Sequence, residues 1–128
     1  MSRRKKKQCS RNSVKKKYQD VLKDVQYNGY EVIHKKLPKD VAGYFNPDTC
    51  EIEIDKSIEN TLDGCYTLLH EFYHANDYRE GKYKKFFAMD DGEIYSDAKL
   101  ELIIEAELSA AKQAQKRLRV YGIDYTPV

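Results

Sequence analysis

Histidine is scarce in this chain: 128 residues contain three, His34, His70 and His74. Cysteine is as scarce, and Cys9, Cys50 and Cys65 form an odd set with no CxxC pair. That excludes a disulfide framework and a cysteine zinc ribbon, and makes a reducing, cytoplasmic setting the default expectation. No stretch approaches the about 18 apolar residues of a membrane helix, so no segment is expected to span a bilayer. The opening "MSRRKKKQCS" is basic but has no apolar stretch behind it, unlike a secretory signal. Internal repeats are lacking too. The length suits one domain with a modest core.

Acid is missing from the first 17 residues, which hold nine basic groups: Arg3, Arg4, Lys5, Lys6, Lys7, Arg11, Lys15, Lys16 and Lys17. The net charge of +2 therefore hides an asymmetry, because the remainder has fourteen basic groups against 21 acidic, a net of −7. Residues 1–12 are expected to be a basic, disordered arm, and residues 13–128 a single domain. The arm also suits contact with nucleic acid or another polyanion through Arg3–Lys17. No aromatic residue precedes Tyr18, so stacking on bases has no support.

From Ser13 to Gln26, Val14, Tyr18, Val21, Leu22 and Val25 recur at helical spacing, and Asn28-Gly29 ends the pattern. "YEVIHKKL" reads as a strand. "VAGYF", "NPDT" and "CEIEID" read as a hairpin, with Cys50, Ile52 and Ile54 on a buried face and Glu51, Glu53 and Asp55 on a wet one. A helix is expected from Thr61 to Arg79, ended by Gly81. A connection of about fourteen residues, Lys82 to Tyr95, leads to a last helix opening at Ser96 or Asp97 and running to Val120. The order implies an α+β class: an N-terminal helix, a small antiparallel sheet with a hairpin, and two helices packed together.

Two of the three histidines stand four residues apart in "LLHEFYH", residues 68–74. On a helical wheel with His70 at zero, His74 falls at about 40°, Asp77 at about 340° and Glu71 at about 100°. Leu62, Cys65, Leu68, Leu69 and Phe72 cover the opposite face. Imidazoles at i and i+4 can share one zinc ion, and a glutamate after the first stands beside the metal as a general base. This is the HExxH pattern of zinc metallopeptidases. A polar helix face bonded within the fold is the plain alternative.

A catalytic zinc takes a third protein ligand and keeps one open position. No histidine follows His74. Glu107 falls in the apolar stripe of the last helix, among Leu100, Ile103, Ala110, Ala111, Ala114 and Leu118. A carboxylate there is costly unless paired or metal-bound, so Glu107 is the expected third ligand. Glu101 and Glu105 fall on the wet side of that wheel. Glu80 is a further alternative, though it needs a tight bend where Asp77 stands. Asp77 suits either a carboxylate partner for a ligating imidazole or a cap for the helix end. His34, Cys50 and Cys65 are expected to be structural. Tyr78, Tyr83 and Tyr95 are the nearest candidates for stabilising an oxyanion.

"GYFNPDTCEIEID", "TLLHEFYHANDY" and "EAELSAA" together resemble the small gluzincins of the ImmA/IrrE type, across roughly residues 41–115. That resemblance implies a minimal zincin fold, with one Zn²⁺ completed by the glutamate matching Glu107. It also implies an intracellular, often phage- or mobile-element-borne, regulatory protease whose substrate is a transcriptional repressor. The expectation is a zinc-dependent endopeptidase with His70, His74 and Glu107 as ligands and Glu71 as base. The alternative is a non-catalytic, zinc-stabilised binding or structural module that docks through its basic arm.

Overall fold

A computed structural model describes residues 2–82 and 97–126, with side chains from Ser13 onward, Ala98 excepted. Helix α1 spans Ser2–Tyr27. It begins eleven residues before the apolar spacing does, because residues 2–12 contain no proline or glycine to interrupt a helix. Residues 2–12, expected as a disordered arm, thus belong to the same helix as the apolar positions that follow, and the basic run continues through Lys17. Tyr18, Val21 and Val25 are its buried contacts. Gly29, at φ 96°, ends the helix in the left-handed conformation that costs a glycine little.

Strands β1 (Glu31–Lys35), β2 (Gly43–Asn46) and β3 (Glu51–Asp55) form a sheet in the order β1-β3-β2. β2 and β3 pair antiparallel as the expected hairpin, but β1 pairs parallel with β3. The sheet is thus mixed where an antiparallel one was expected. The physical reason lies in β3: Ile52 and Ile54 are fully buried, and the strand that buries most takes the centre. The chain between β1 and β2 arches over the gap that β3 fills, about 9.6 Å across.

Asn46 Oδ1 accepts a bond from the Asp48 N–H at 2.9 Å in the hairpin turn. The turn closes with the Cys50 N–H donating to Asn46 O. Cys50 therefore belongs to the turn, with φ 58° and an exposed side chain, and not to the buried face expected for it.

Helix α2 spans Leu62–Arg79. Thr61 caps it, its hydroxyl oxygen accepting from the Gly64 N–H at 2.9 Å. Cys65, Leu68, Leu69, Phe72 and Ala75 form its buried face, as the wheel requires. Near its C-terminus, Tyr30 donates to Asn76 Oδ1 and Arg79 Nε donates to the Tyr30 hydroxyl, both at 2.9 Å. These bonds tie α2 to the end of α1. Helix α3 spans Asp97–Leu118 and packs extensively along α2. Ala110, Ala114 and Leu118 are fully buried, whereas Leu100 is 43% exposed, so the stripe is buried only in the C-terminal half. The expected overhang of Lys82–Tyr95, with Phe86 and Phe87, falls beyond Lys82 on residues outside those described, as do Tyr83, Tyr95 and Ser96. Among the described residues no helix is long and apolar enough to cross a membrane.

Gly64 fixes how closely α1 and the turn before α2 approach. A Cβ there would lie 2.0 Å from Ile58 O and 2.9 Å from Tyr18 Cε1. Gly64→Ala is expected to lower stability by about 2 kcal/mol or more, as overpacking does. Urea unfolding followed by circular dichroism measures it, and an unchanged midpoint would refute the close approach.

Candidate metal centre

His70 and His74 project from one face of α2 because they are one turn apart. Their ring centroids are 4.6 Å apart and the rings stand at 81°. The two Nε2 atoms lie 3.1 Å apart. Glu107 reaches across from α3, with Oε2 3.1 Å from His70 Nε2 and Oε1 2.9 Å from His74 Nε2. Three donors on two helices thus converge at close to 3 Å. Ligands of one tetrahedral zinc stand about 3.3 Å apart, so a shift of a few tenths of an ångström would suit an ion. Neutral nitrogen and carboxylate oxygen are also a fitting donor set for zinc.

Glu107 differs from expectation in one respect: its side chain is 59% exposed. The carboxylate stands exposed at the site, and the apolar stripe expected around it is fully buried only at Ala110, Ala114 and Leu118. Hydrogen bonds to His70 and His74 still hold its pKa well below the usual carboxylate range. Burial lowers the His74 pKa, but the bond to Glu107 and the charges of Glu71, Glu107 and Asp77 outweigh it, and the net value is raised.

Glu71 lies on the adjacent face, with a carboxylate oxygen within 4.8 Å of both imidazoles. Burial raises its pKa, while His74, His70 and a backbone hydrogen bond from Phe45 pull it down and Glu107 pushes it up. Of the two carboxylates near the imidazoles, Glu107 is the one bonded to both, while Glu71, His70 and His74 have ligand atoms all within 4.8 Å of one another. Gly43 lets β2 come this close to α2: a Cβ there would sit 2.7 Å from Thr67 Cγ2 and 3.2 Å from Glu71 Cγ.

Tyr66 had no part in the sequence expectations. Its hydroxyl oxygen lies 3.3 Å from His70 Nδ1. With Nε2 given to an ion, Nδ1 would carry the proton and donate it to that hydroxyl. Tyr125 packs against Tyr66 at 5.8 Å and donates to Asp63, so the chain after α3 returns to support this ring. Tyr66 was findable, since it stands one turn before His70 on the same face.

Asp77 takes neither expected role. It is buried, pairs with Lys82 Nζ at 3.3 Å, and its Oδ2 has no hydrogen-bond partner among the described residues. Glu80 pairs with the same lysine at 3.6 Å. Glu105 stays exposed on α3. Tyr78 packs on Phe45 at 5.7 Å. His34 lies outside the cluster, where its Nε2 meets the hydroxyl of fully buried Tyr18 at 2.7 Å. Cys65 is buried with its thiol pushed up to about 11, which suits a core residue.

Compared with protein-family models, with curated proteins and with solved structures, the chain matches none.

Two outcomes follow from this geometry. Tyr66→Phe is expected to weaken zinc binding about 10- to 100-fold, as loss of a ligand's hydrogen-bond partner does, with an unchanged melting temperature of the metal-free protein; competition with a chelating dye reads it. In metal-free protein, Glu107 contributes stability above its ordinary pKa of 4.5 that fades as pH falls through its lowered value. His74 contributes stability below its ordinary 6.5 that is lost as pH rises through its raised value. Glu107→Gln should therefore cost most between pH 4.5 and 6.5. Equal losses in melting temperature at pH 5.5 and pH 9 would contradict the pairing.

Proposed function

We propose that this protein is a zinc-dependent endopeptidase. The observation that carries the reading is the convergence of His70 Nε2, His74 Nε2 and both Glu107 oxygens at 2.9–3.1 Å, with Glu71 standing beside them. His70, His74 and Glu107 would hold Zn²⁺, which when bound polarises a carbonyl oxygen and acidifies water toward a pKa of ~7. Glu71 takes the proton from the water that attacks the peptide carbonyl, and delivers it to the departing amine nitrogen. Its raised pKa suits that exchange, because a base works best near the operating pH. Tyr66 keeps His70 in the tautomer that leaves Nε2 free. β2 is an edge strand beside Glu71, so an extended peptide can pair with it as an added strand.

The resemblance to ImmA/IrrE-type gluzincins supports the same reading and suggests a cytoplasmic regulatory role, with a transcriptional repressor as the first substrate to try. The basic residues of α1 suit a polyanion partner. A zinc-stabilised binding module remains the competing reading; it has no need of a buried carboxylate poised at the imidazoles.

Protein purified without chelator is expected to hold about one zinc per chain, and His70→Ala to lose most of it. Glu71→Gln should abolish hydrolysis of an unfolded protein substrate while zinc content and melting temperature stay nearly constant. Zinc content far below one, indifferent to His70→Ala, would end the metal reading. Full zinc without hydrolysis of any tested protein would favour the binding module.

A further inference from the structure

A cavity of about 630 Å³ opens at the end of the sheet where β2 begins, lined in part by Lys36, Leu37, Lys39, Val41, Lys56 and Ile58. Leu37 is buried, Ile58 half-buried and Val41 37% exposed, which gives the cavity apolar walls. Its rim is basic. Lys36, Lys39 and Lys56 are exposed, and none has a carboxylate within ion-pair distance among the described residues. Two carboxylates share the rim. Asp55 already accepts from the Leu37 N–H at 2.7 Å, from the Ser57 N–H at 3.0 Å and from the Ser57 hydroxyl. Asp55 stays ionised, and with Asp40 it sets two negative charges against the three lysines, which leaves the rim net basic by one. This basic rim stands out, because the chain after residue 17 carries a net charge of −7.

The cavity wall is followed directly in the chain by the strand beside the candidate centre. Val41 and Ala42 lead directly into Gly43, whose Cα faces Thr67 and Glu71. A strand advances about 3.3 Å per residue. Val41 stands two residues and Lys39 four residues before Gly43, so that wall of the cavity lies within about 7–13 Å of the point where β2 passes Glu71.

We propose that this cavity is a substrate subsite that takes one apolar side chain flanked by acidic residues, so that the endopeptidase acts on acidic–apolar segments of a protein chain. The inference rests on the endopeptidase reading for its meaning, but its test is a binding measurement that needs no turnover. The zinc-loaded Glu71→Gln protein is titrated into two fluorescein-labelled peptides, one with leucine between aspartates and glutamates, the other with leucine between lysines. Anisotropy is read at about 150 mM salt, where distant charges are screened.

The acidic peptide is expected to bind about 10-fold more tightly than the basic one, the sum of three rim pairs. Lys36→Glu, Lys39→Glu and Lys56→Glu together should erase that preference, and each alone should reduce it by about 2- to 3-fold. Alanine for leucine in the probe should weaken binding further. The basic part of α1 is the same in every variant, so the differences belong to the cavity. Acidic-peptide binding unchanged by the reversals, singly or together, or a preference for the basic peptide, would overturn the proposal. Hydrolysis by wild-type protein is scored separately: its absence sinks the endopeptidase reading and leaves the binding result standing.

Discussion

Everything at the candidate centre depends on how closely α3 lies against α2. Glutamate is short, and Glu107 contacts both imidazoles only because Ala110 and Ala114 are fully buried against the neighbouring helix. Larger side chains there would lengthen the interaxial distance, which runs about 8–10 Å and follows the residues at the contact. The close packing also places three polar donors together with no apolar group between them. That arrangement is costly unless the groups satisfy one another or share an ion. In the metal-free protein the Glu107 carboxylate does the first, which is why its pKa falls and that of His74 rises.

A second close approach sets the other carboxylate. β2 passes α2 at Gly43, and the Phe45 N–H bonds to Glu71. Burial makes the charged form of Glu71 less favourable, while the two imidazoles and that N–H make it more so, and burial prevails. Two glutamates near the same histidines thus titrate in opposite directions. Glu107 is exposed but bonded to both rings; Glu71 is sequestered and bonded to neither. Their environments, not their chemistry, drive the two carboxylates apart.

The tail after α3 belongs to the same construction. Gly122 turns the chain at φ 74°, Ile123 returns to the core, and Tyr125 packs on Tyr66 behind His70. The orientation of one imidazole is in this way tied to residues more than fifty positions downstream. At the far end of the same helix, Arg79 stacks over Tyr30 with its guanidinium carbon 4.4 Å from the ring centroid, so α2 is fixed at both ends.

Elements with strong periodicity were legible from residues alone. α2 begins after Thr61 and ends before Gly81, because capping and left-handed glycine are local chemistry. The division of α2 into a buried face and a His-His-Glu face follows from 100° per residue and nothing else. Glu107 could be singled out, but for a mistaken reason: it was expected inside an apolar stripe and stands exposed at the site. Which half of α3 is covered depends on what packs there, and no periodicity records that. The parallel pairing of β1 with β3, the place of Cys50 in the turn, the Lys82 partner of Asp77 and the Phe45 bond to Glu71 were likewise decided by tertiary structure. Each joins groups whose separation in space is fixed by the packing of whole elements, whereas the sequence by itself determines only what neighbours within a turn or a strand can do.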